Sequence, residues 1–149
     1  MANGAARVRT VLVLCTGNSA RSIMAEAYVN HVGGDRWRAV SAGSQPTGRV
    51  NPLALAALAE AGIRAPADAR SKSWDEFARA GAAPIDLVVT VCDNAAREAC
   101  PRFPGAHRTV HLPFPDPAAA TGSDEERRAA FRRVLVDMLP ALDRLLADA

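Results

Sequence analysis

The residues best suited to chemistry form one short stretch near the start of the chain, from Cys15 to Ser22, which reads Cys-Thr-Gly-Asn-Ser-Ala-Arg-Ser. The apolar run Arg9–Leu14 before it predicts a buried strand, and the pattern from Arg21 to about Val32 predicts a helix. A strand-to-helix loop points backbone N–H groups at one place, and the helix N-terminus adds positive potential there. The stretch therefore predicts a concave cradle for a tetrahedral oxyanion.

Cys15 is the predicted nucleophile of this cradle, because the field at a helix N-terminus would lower the pKa of its thiol. Arg21 can hold two oxygens of the anion with its planar guanidinium, and Ser22 can donate to the sulfur. The predicted oxyanion-binding residues are Thr16, Gly17, Asn18, Ser19, Ala20, Arg21 and Ser22. The other interpretation is a buried, inert cysteine at a strand end. It does not account for the loop and the Arg-Ser pair that follow.

A candidate general acid, Asp116, lies in the segment Phe114-Pro115-Asp116-Pro117, just beyond a weaker predicted strand at Thr109–Leu112. A reaction that breaks a bond to a tetrahedral oxyanion needs a proton for the leaving oxygen. An aspartic acid held over the cradle can supply that proton. Asp-Pro turns are common in loops, so a purely structural turn is the alternative.

Two further thiols, Cys92 and Cys100, follow the strongly apolar strand predicted at Asp86–Val91. If this strand neighbours the first one, as a flavodoxin-like order predicts, Cys92 and Cys15 emerge at the same sheet edge. Cys92 could then attack Cys15 or an adduct on it. The alternatives are a buried strand-end thiol for Cys92 and an ordinary surface thiol for Cys100.

The residues between these two cysteines, 93–99, are good helix-forming sequence. A helix would place the Cα atoms of Cys92 and Cys100 about 12 Å apart, whereas a disulfide needs roughly 4.4–6.8 Å. If the two thiols pair, the segment has to unwind. We therefore predict a redox-driven rearrangement of residues 92–105.

Strands and helices alternate along the chain, which predicts right-handed crossovers and a parallel sheet. A further strand is predicted at Trp37–Ala42. Further helices are predicted to begin at Pro52 after Asn51, near Ser73 and after Ser123. Pro140 is expected to bend or split the last of these helices. The predicted fold is a single α/β domain over residues 1–149. It is a flavodoxin-like four-stranded parallel sheet with helices on both faces. Ligands in such folds bind at the carboxyl ends of the strands.

Composition excludes several function classes. The chain has 149 residues, with 18 basic and 16 acidic side chains and a net charge of +2. This balance lacks the excess of basic residues that is typical of nucleic-acid-binding proteins. No apolar run approaches the roughly 20 residues that span a membrane, and the N-terminus lacks the apolar core of a secretory signal. We therefore expect a cytoplasmic protein, where structural disulfides are rare. The three cysteines then serve either chemistry or packing.

The motifs resemble one family, the arsenate reductases built on the low-molecular-weight tyrosine phosphatase fold, over nearly the whole chain. The stretches that carry the resemblance are Cys15–Ser22, Met24–Ala27, Ser41–Gly43, Ser71–Ser73, Cys92–Pro101 and Asp116–Ala118. Phosphatases share the loop around Cys15, whereas the Cys92–Cys100 stretch is more specific to the reductases. The chain departs from many relatives at Ala20, where they carry a second loop cysteine.

The resemblance implies a relay of three thiols. Cys15 attacks arsenate, while Arg21 and the loop amides hold the oxygens and Asp116 protonates the departing hydroxyl. Cys92 then attacks the Cys15 sulfur and arsenite leaves. Cys100 attacks Cys92 and leaves a Cys92–Cys100 disulfide, which thioredoxin reduces; glutaredoxin or mycothiol systems serve related enzymes.

The resemblance also implies that no cofactor is tightly bound. Some relatives hold a monovalent cation such as potassium near positions that match Asn18, Glu26 and Ser41, and a similar site is one expectation here. The three histidines of the sequence have no ligand spacing, so we expect no zinc site.

Two other functions stay open at this point. A low-molecular-weight protein tyrosine phosphatase needs only Cys15, Arg21 and Asp116, but such enzymes usually carry aromatic residues after the Asp-Pro pair, where this chain has three alanines, Ala118 to Ala120. A non-catalytic sensor that binds As(III) through three thiols would leave Arg21 and Asp116 without a role.

Overall fold

Four parallel strands form the sheet of this computed structural model, which describes residues 8–66, 68–92, 102–105 and 107–149. The strands are β1 (Arg9–Cys15), β2 (Trp37–Gly43), β3 (Leu87–Thr90) and β4 (Arg108–His111), in the order β2-β1-β3-β4. The predicted four-stranded parallel sheet is therefore confirmed, and so is the pairing of β1 with β3. This pairing brings the carboxyl ends of β1 and β3 side by side.

The described residues form three α-helices that pack on one another, and the first of them also packs on β1 and β2: α1 (Arg21–Gly33), α2 (Pro52–Glu60) and α3 (Asp124–Asp148). Their starts follow the capping residues that the sequence offers. Asn51 accepts from Leu53 N before α2, and Ser123 exchanges hydrogen bonds with Glu126 before α3. The helix predicted after Ser73 is a short 3-10 helix, Trp74–Phe77.

The expectation that Pro140 splits the last helix is wrong, because α3 runs unbroken through it. The hydrogen bond that Pro140 cannot donate would go to Val136, which is on the exposed side of the helix with 57% of its surface accessible. Met138 and Leu142, on either side of the proline, are both buried in the core. Their packing holds the two halves of the helix on the same surface.

The core is built on β1, whose residues from Val11 to Leu14 are at most 1% exposed, as a strand covered on both faces requires. Phe131 and Leu135 of α3 are buried against the same core. Burying a side chain of this size contributes about 1.5–3 kcal/mol. This packing gives the loop after β1 a rigid base.

No helix among the described residues is long and apolar enough to cross a membrane. Cys100, the helix predicted for residues 93–99 and most of the rearrangement predicted for residues 92–105 lie outside the described residues. These three expectations stay predictions.

Candidate active site

The loop between β1 and α1 turns its carbonyl groups outward, where donors from a second loop hold them. The donor and acceptor pairs are Gln45 N to Thr16 O at 2.9 Å, Thr47 N to Gly17 O at 3.0 Å and Asn51 N to Ser19 O at 2.9 Å. In a planar trans peptide the C=O and the following N–H point in opposite directions. Each outward carbonyl therefore turns the next N–H toward the inside of the loop. One of them, the Gly17 N–H, contacts the Cys15 sulfur.

Asn18 holds the loop from within. Its backbone has a φ of 45°, in the left-handed region that asparagine tolerates. Its side chain is fully buried and donates to Ser22 Oγ at 2.8 Å and to Ser41 Oγ at 2.9 Å, while Oδ1 accepts from Lys72 N at 2.9 Å. The side chain of Asn18 thus fixes the conformation of the cradle loop. The expected hydrogen bond from the Ser22 hydroxyl to the Cys15 sulfur stays a prediction.

The loop encloses a cavity of about 480 Å³. Six of the seven predicted oxyanion-binding residues line it, together with the predicted nucleophile Cys15: Thr16, Gly17, Asn18, Ser19, Ala20 and Arg21. Asp116 also lines the cavity, so the structure brings the predicted nucleophile, arginine and acid together. Sequence reasoning missed Thr47, Asn51 and Ala118, which complete the wall. Asn51 had a signal only as a helix cap.

Arg21 lies between the cradle and the segment that carries the acid. Its Nη1 donates to Phe114 O at 3.0 Å, and its Nη2 lies 3.8 Å from Asp116 Oδ2. Asp116 is about half exposed, and its Oδ1 accepts from Ala118 N at 3.0 Å. The carboxyl group is therefore held at the mouth of the cavity, where a leaving oxygen would depart.

Cys92 directly adjoins Cys15 at the base of this site. Both thiols are buried and form no disulfide, and their side chains share a hydrogen bond. The Thr16 N–H donates to Cys92 Sγ at 3.2 Å, and Thr16 Oγ1 lies 3.5 Å from the same sulfur. Thr16 was predicted to bind the oxyanion, but its backbone N–H is directed at the second thiol.

The expected lowering of the Cys15 pKa is wrong for this pair of thiols. The hydrogen bond with Cys92 and then burial raise the pKa of Cys15, and the charge of Arg21 and the Gly17 N–H only partly oppose them. The cause was not visible in the sequence, because it lies in a contact with a residue on another strand. Formation of the Cys15 thiolate is therefore coupled to Cys92.

The residues expected to hold a monovalent cation make hydrogen bonds with one another. Ser41 Oγ donates to Glu26 Oε1, while Asn18 directs its amide nitrogen at Ser41 and its oxygen at Lys72 N. Burial raises the pKa of Glu26, and this rise is only partly offset by the Ser41 hydrogen bond and the charge of Lys72. Hard cations need several oxygen ligands. The Asn18 oxygen accepts from a backbone N–H and a lysine charge lies nearby, and both features oppose cation binding, so the monovalent cation stays a prediction.

The described residues hold no cluster of three or more His, Cys, Asp or Glu side chains that could bind a metal.

Comparisons with known proteins identify the family of the chain. The family model of low molecular weight phosphotyrosine protein phosphatases matches residues 10–148. An arsenate reductase of Halalkalibacterium halodurans is 44% identical over 126 residues, which cover 85% of this chain and 86% of the relative.

Solved structures extend the same relationship. The crystal structure of an arsenate reductase from Archaeoglobus fulgidus matches with a TM-score of 0.70 and 30% identity, over 92% of this chain and 98% of the other. A thioredoxin-dependent arsenate reductase of Corynebacterium glutamicum matches with a TM-score of 0.58 and 25% identity, over 93% of this chain and 64% of the other. The chain therefore belongs to the low molecular weight phosphotyrosine protein phosphatase family, within which it is similar to the arsenate reductases.

Proposed function

We propose that this chain reduces arsenate to arsenite through a relay of its three thiols, with thioredoxin as the final reductant. The observation that carries the proposal is the direct contact between Cys15 and Cys92 at the base of an oxyanion cradle. Hydrolysis of a phosphate ester needs only one thiol there. A second buried thiol within bonding reach suits a reaction that passes electrons to the bound atom. The relay uses the chain's own residues and needs no tightly bound cofactor.

The first step is attack of the Cys15 thiolate on arsenic. A sulfur–arsenic bond forms and one arsenic–oxygen bond breaks, so the leaving oxygen takes a proton from Asp116 and departs as water. Arg21 and the inward N–H groups of the loop hold the remaining oxygens. Arsenic stays As(V) through this step.

The second step is attack of the Cys92 thiolate on the Cys15 sulfur. A sulfur–sulfur bond forms while the sulfur–arsenic bond breaks, and the electron pair of that bond stays with arsenic, which becomes As(III) and leaves as arsenite. Cys92 needs no large movement for this attack, because its Sγ already contacts the Cys15 side chain. The contacts from Thr16 hold that sulfur in place.

The third step belongs to Cys100, which lies outside the described residues. Its thiolate attacks Cys92, releases the Cys15 thiolate and leaves a Cys92–Cys100 disulfide. Two electrons from reduced thioredoxin restore both thiols. The name of the Corynebacterium relative supports thioredoxin for this role, and glutaredoxin and mycothiol systems are the alternatives. A reductant of this kind also supports a cytoplasmic location for the protein.

The second candidate is phosphotyrosine hydrolysis, which the family as a whole favours. The residues that line the cavity beyond the cradle loop are Thr47, Asn51, Asp116 and Ala118, none of which is aromatic. An aromatic substrate would therefore find no ring to stack on among these residues. The cavity suits a small inorganic oxyanion better.

The relay is tested by mixing the protein with thioredoxin, thioredoxin reductase and NADPH and following the oxidation of NADPH after addition of arsenate. We expect arsenate-dependent turnover in the wild type and its loss in Cys15→Ser, Cys92→Ser and Cys100→Ser. Full turnover in Cys92→Ser would exclude the relay. A phosphatase would instead hydrolyse an aryl phosphate in both the Cys92→Ser and Cys100→Ser variants, without needing thioredoxin.

A further inference from the structure

The Gly17 carbonyl on the outside of the cradle accepts a second hydrogen bond, in addition to the one from Thr47 N. Ser71 Oγ donates to it at 3.0 Å. The same hydroxyl accepts from Gly48 N at 3.1 Å, so Ser71 links the cradle to the outer loop that supports it. The other donors to the outward carbonyls named above are backbone groups, whereas Ser71 contributes a side chain.

We propose that Ser71 is a positioning residue for oxyanion binding, which rests on the oxyanion chemistry proposed for this cradle. Its hydroxyl holds the peptide between Gly17 and Asn18 with the carbonyl outward. The N–H of Asn18 then points into the cradle, because the two groups of one trans peptide are opposed. Ser71 is not among the residues that line the cavity, so it acts only through that peptide.

This peptide needs a second donor more than its neighbours do. Gly17 has no Cβ, so its backbone is freer to rotate than that of any other residue type. Asn18 has a φ of 45°, which is seldom populated outside glycine. Rotation of this peptide would direct a carbonyl oxygen at the bound anion in place of an N–H, and two outward donors oppose that rotation.

The position of Ser71 is fixed independently of its hydroxyl. Lys72 N donates to Asn18 Oδ1, and Gly43 N donates to Lys72 O at 2.9 Å, while Ser73 bridges to Gly43 at the end of β2. These backbone contacts remain when the hydroxyl is removed. A substitution at Ser71 therefore tests the hydrogen bond to Gly17, and the strand-like segment that carries it stays in place.

The experiment compares Ser71→Ala with wild type by titrating the reduced full-length proteins with inorganic phosphate in a calorimeter. We expect phosphate to bind about fivefold more weakly to Ser71→Ala, the effect of one lost hydrogen bond. Ser73→Ala is the matched control, since Ser73 Oγ accepts from Asp75 N and does not contact the cradle. We expect that control to bind phosphate as the wild type does.

A second pair keeps the test independent of any folding defect. Ser71→Thr retains the hydroxyl and Ser71→Val is its isosteric partner, so only the valine variant should bind phosphate weakly. In the thioredoxin-coupled assay the same variant should raise KM for arsenate and leave kcat within about twofold, because the cradle binds ground state and transition state alike. Backbone amide exchange at Asn18, followed by NMR, should be faster in Ser71→Val.

Equal phosphate binding in Ser71→Thr and Ser71→Val, or equal weakening by Ser73→Ala, would overturn the proposal. Failure of the proposed function has a different signature. The wild type would then show no arsenate-dependent turnover, while the difference between the threonine and valine variants in phosphate binding would persist.

Discussion

The backbone N–H of Thr16 donates to the sulfur of Cys92, at 3.2 Å, although the two residues are 76 positions apart in the sequence. The contact arises because β1 and β3 are neighbours and both end at this edge of the sheet. The cradle loop therefore contacts both thiols: the Gly17 N–H contacts the Cys15 sulfur, and the first N–H after Cys15 holds the thiol that is proposed to attack next. A phosphatase would have no use for the second contact.

Removing the Thr16 hydroxyl should slow the second step and leave the first unchanged. Thr16→Val keeps the backbone N–H but loses Oγ1, which lies 3.5 Å from Cys92 Sγ. We expect kcat for arsenate reduction to fall about fivefold, the effect of one hydrogen bond. Thr16→Ser retains a hydroxyl and should keep near wild-type kcat. Equal rates for the valine and serine variants in the thioredoxin-coupled assay would contradict this role.

Removing the Cys92 thiol should lower the pKa of Cys15. The hydrogen bond that Cys15 shares with Cys92 is the largest of the causes that raise this pKa, ahead of burial. Without it, Arg21 and the Gly17 N–H act against burial alone, so the thiolate forms at lower pH. The measurement is the rate of Cys15 alkylation by iodoacetamide as a function of pH, in Cys92→Ala and wild type with Cys100 replaced in both. An inflection at the same or a higher pH in the alanine variant would show that the two thiols are not coupled.

The sequence alone was sufficient for the strands and for the starts of the helices, because both follow from local patterns, whereas the strand order was expected from the flavodoxin-like fold class. The apolar runs of β1 and β3, the Asn51 cap and the Ser123 capping box are signals carried by neighbouring residues. The contact between the thiols could be expected only through the strand order. Its effect on the pKa of Cys15 could not be expected, since it depends on the hydrogen bond that the two side chains share.

Other features of the site depend on tertiary packing. Thr47 lines the cavity, but neither its residue type nor its spacing marks it in the sequence. Ser71 lies 54 positions from Gly17, and a serine in that setting predicts nothing about a carbonyl in the cradle. Pro140 does not split the last helix for the same reason, because burial of Met138 and Leu142 outweighs the local preference of proline, and a bend at Pro140 stays a prediction.

Replacing Asp116 by asparagine should separate acid catalysis from structure. The Oδ1 atom that accepts from Ala118 N is retained in Asp116→Asn, so the start of the short 3-10 helix Pro117–Ala119 keeps its cap. The ability to donate a proton to the leaving oxygen is lost, and we expect kcat to fall about 100-fold or more. The ion pair with Arg21 is 3.8 Å long and the Asp116 side chain is half exposed, so loss of this ion pair should lower the stability by less than about 1 kcal/mol.

Asp116→Ala is the matched comparison, because it removes both the acid and the cap. If Asp116→Asn retains wild-type kcat while its thermal unfolding is unchanged, Asp116 has no role as the acid and the Asp-Pro turn is purely structural.

The hydrogen bond between Tyr28 and Asp143 should make stability depend on alkaline pH. Tyr28 OH donates to Asp143 Oδ1 at 2.7 Å and joins α1 to α3. Burial and then this hydrogen bond raise the pKa of Tyr28 to about 12, whereas tyrosine in an unfolded chain titrates near about 10. Between these values the unfolded chain loses the proton that the native protein keeps, so the stabilisation present below pH 10 is lost as the pH rises toward 12.

Tyr28→Phe should lower the free energy of unfolding at neutral pH by about 1.5 kcal/mol, because the bond to a charged acceptor is lost while the ring still packs. Its stability should fall less than that of the wild type between pH 10 and 12. Tyr28 is the sole tyrosine of the sequence, so the ultraviolet absorbance of tyrosinate reports this group directly. A native titration midpoint near that of free tyrosine would contradict the raised pKa of Tyr28. The control variant is Asp143→Asn, which removes the negative charge beside the phenol and should lower the midpoint toward that of free tyrosine.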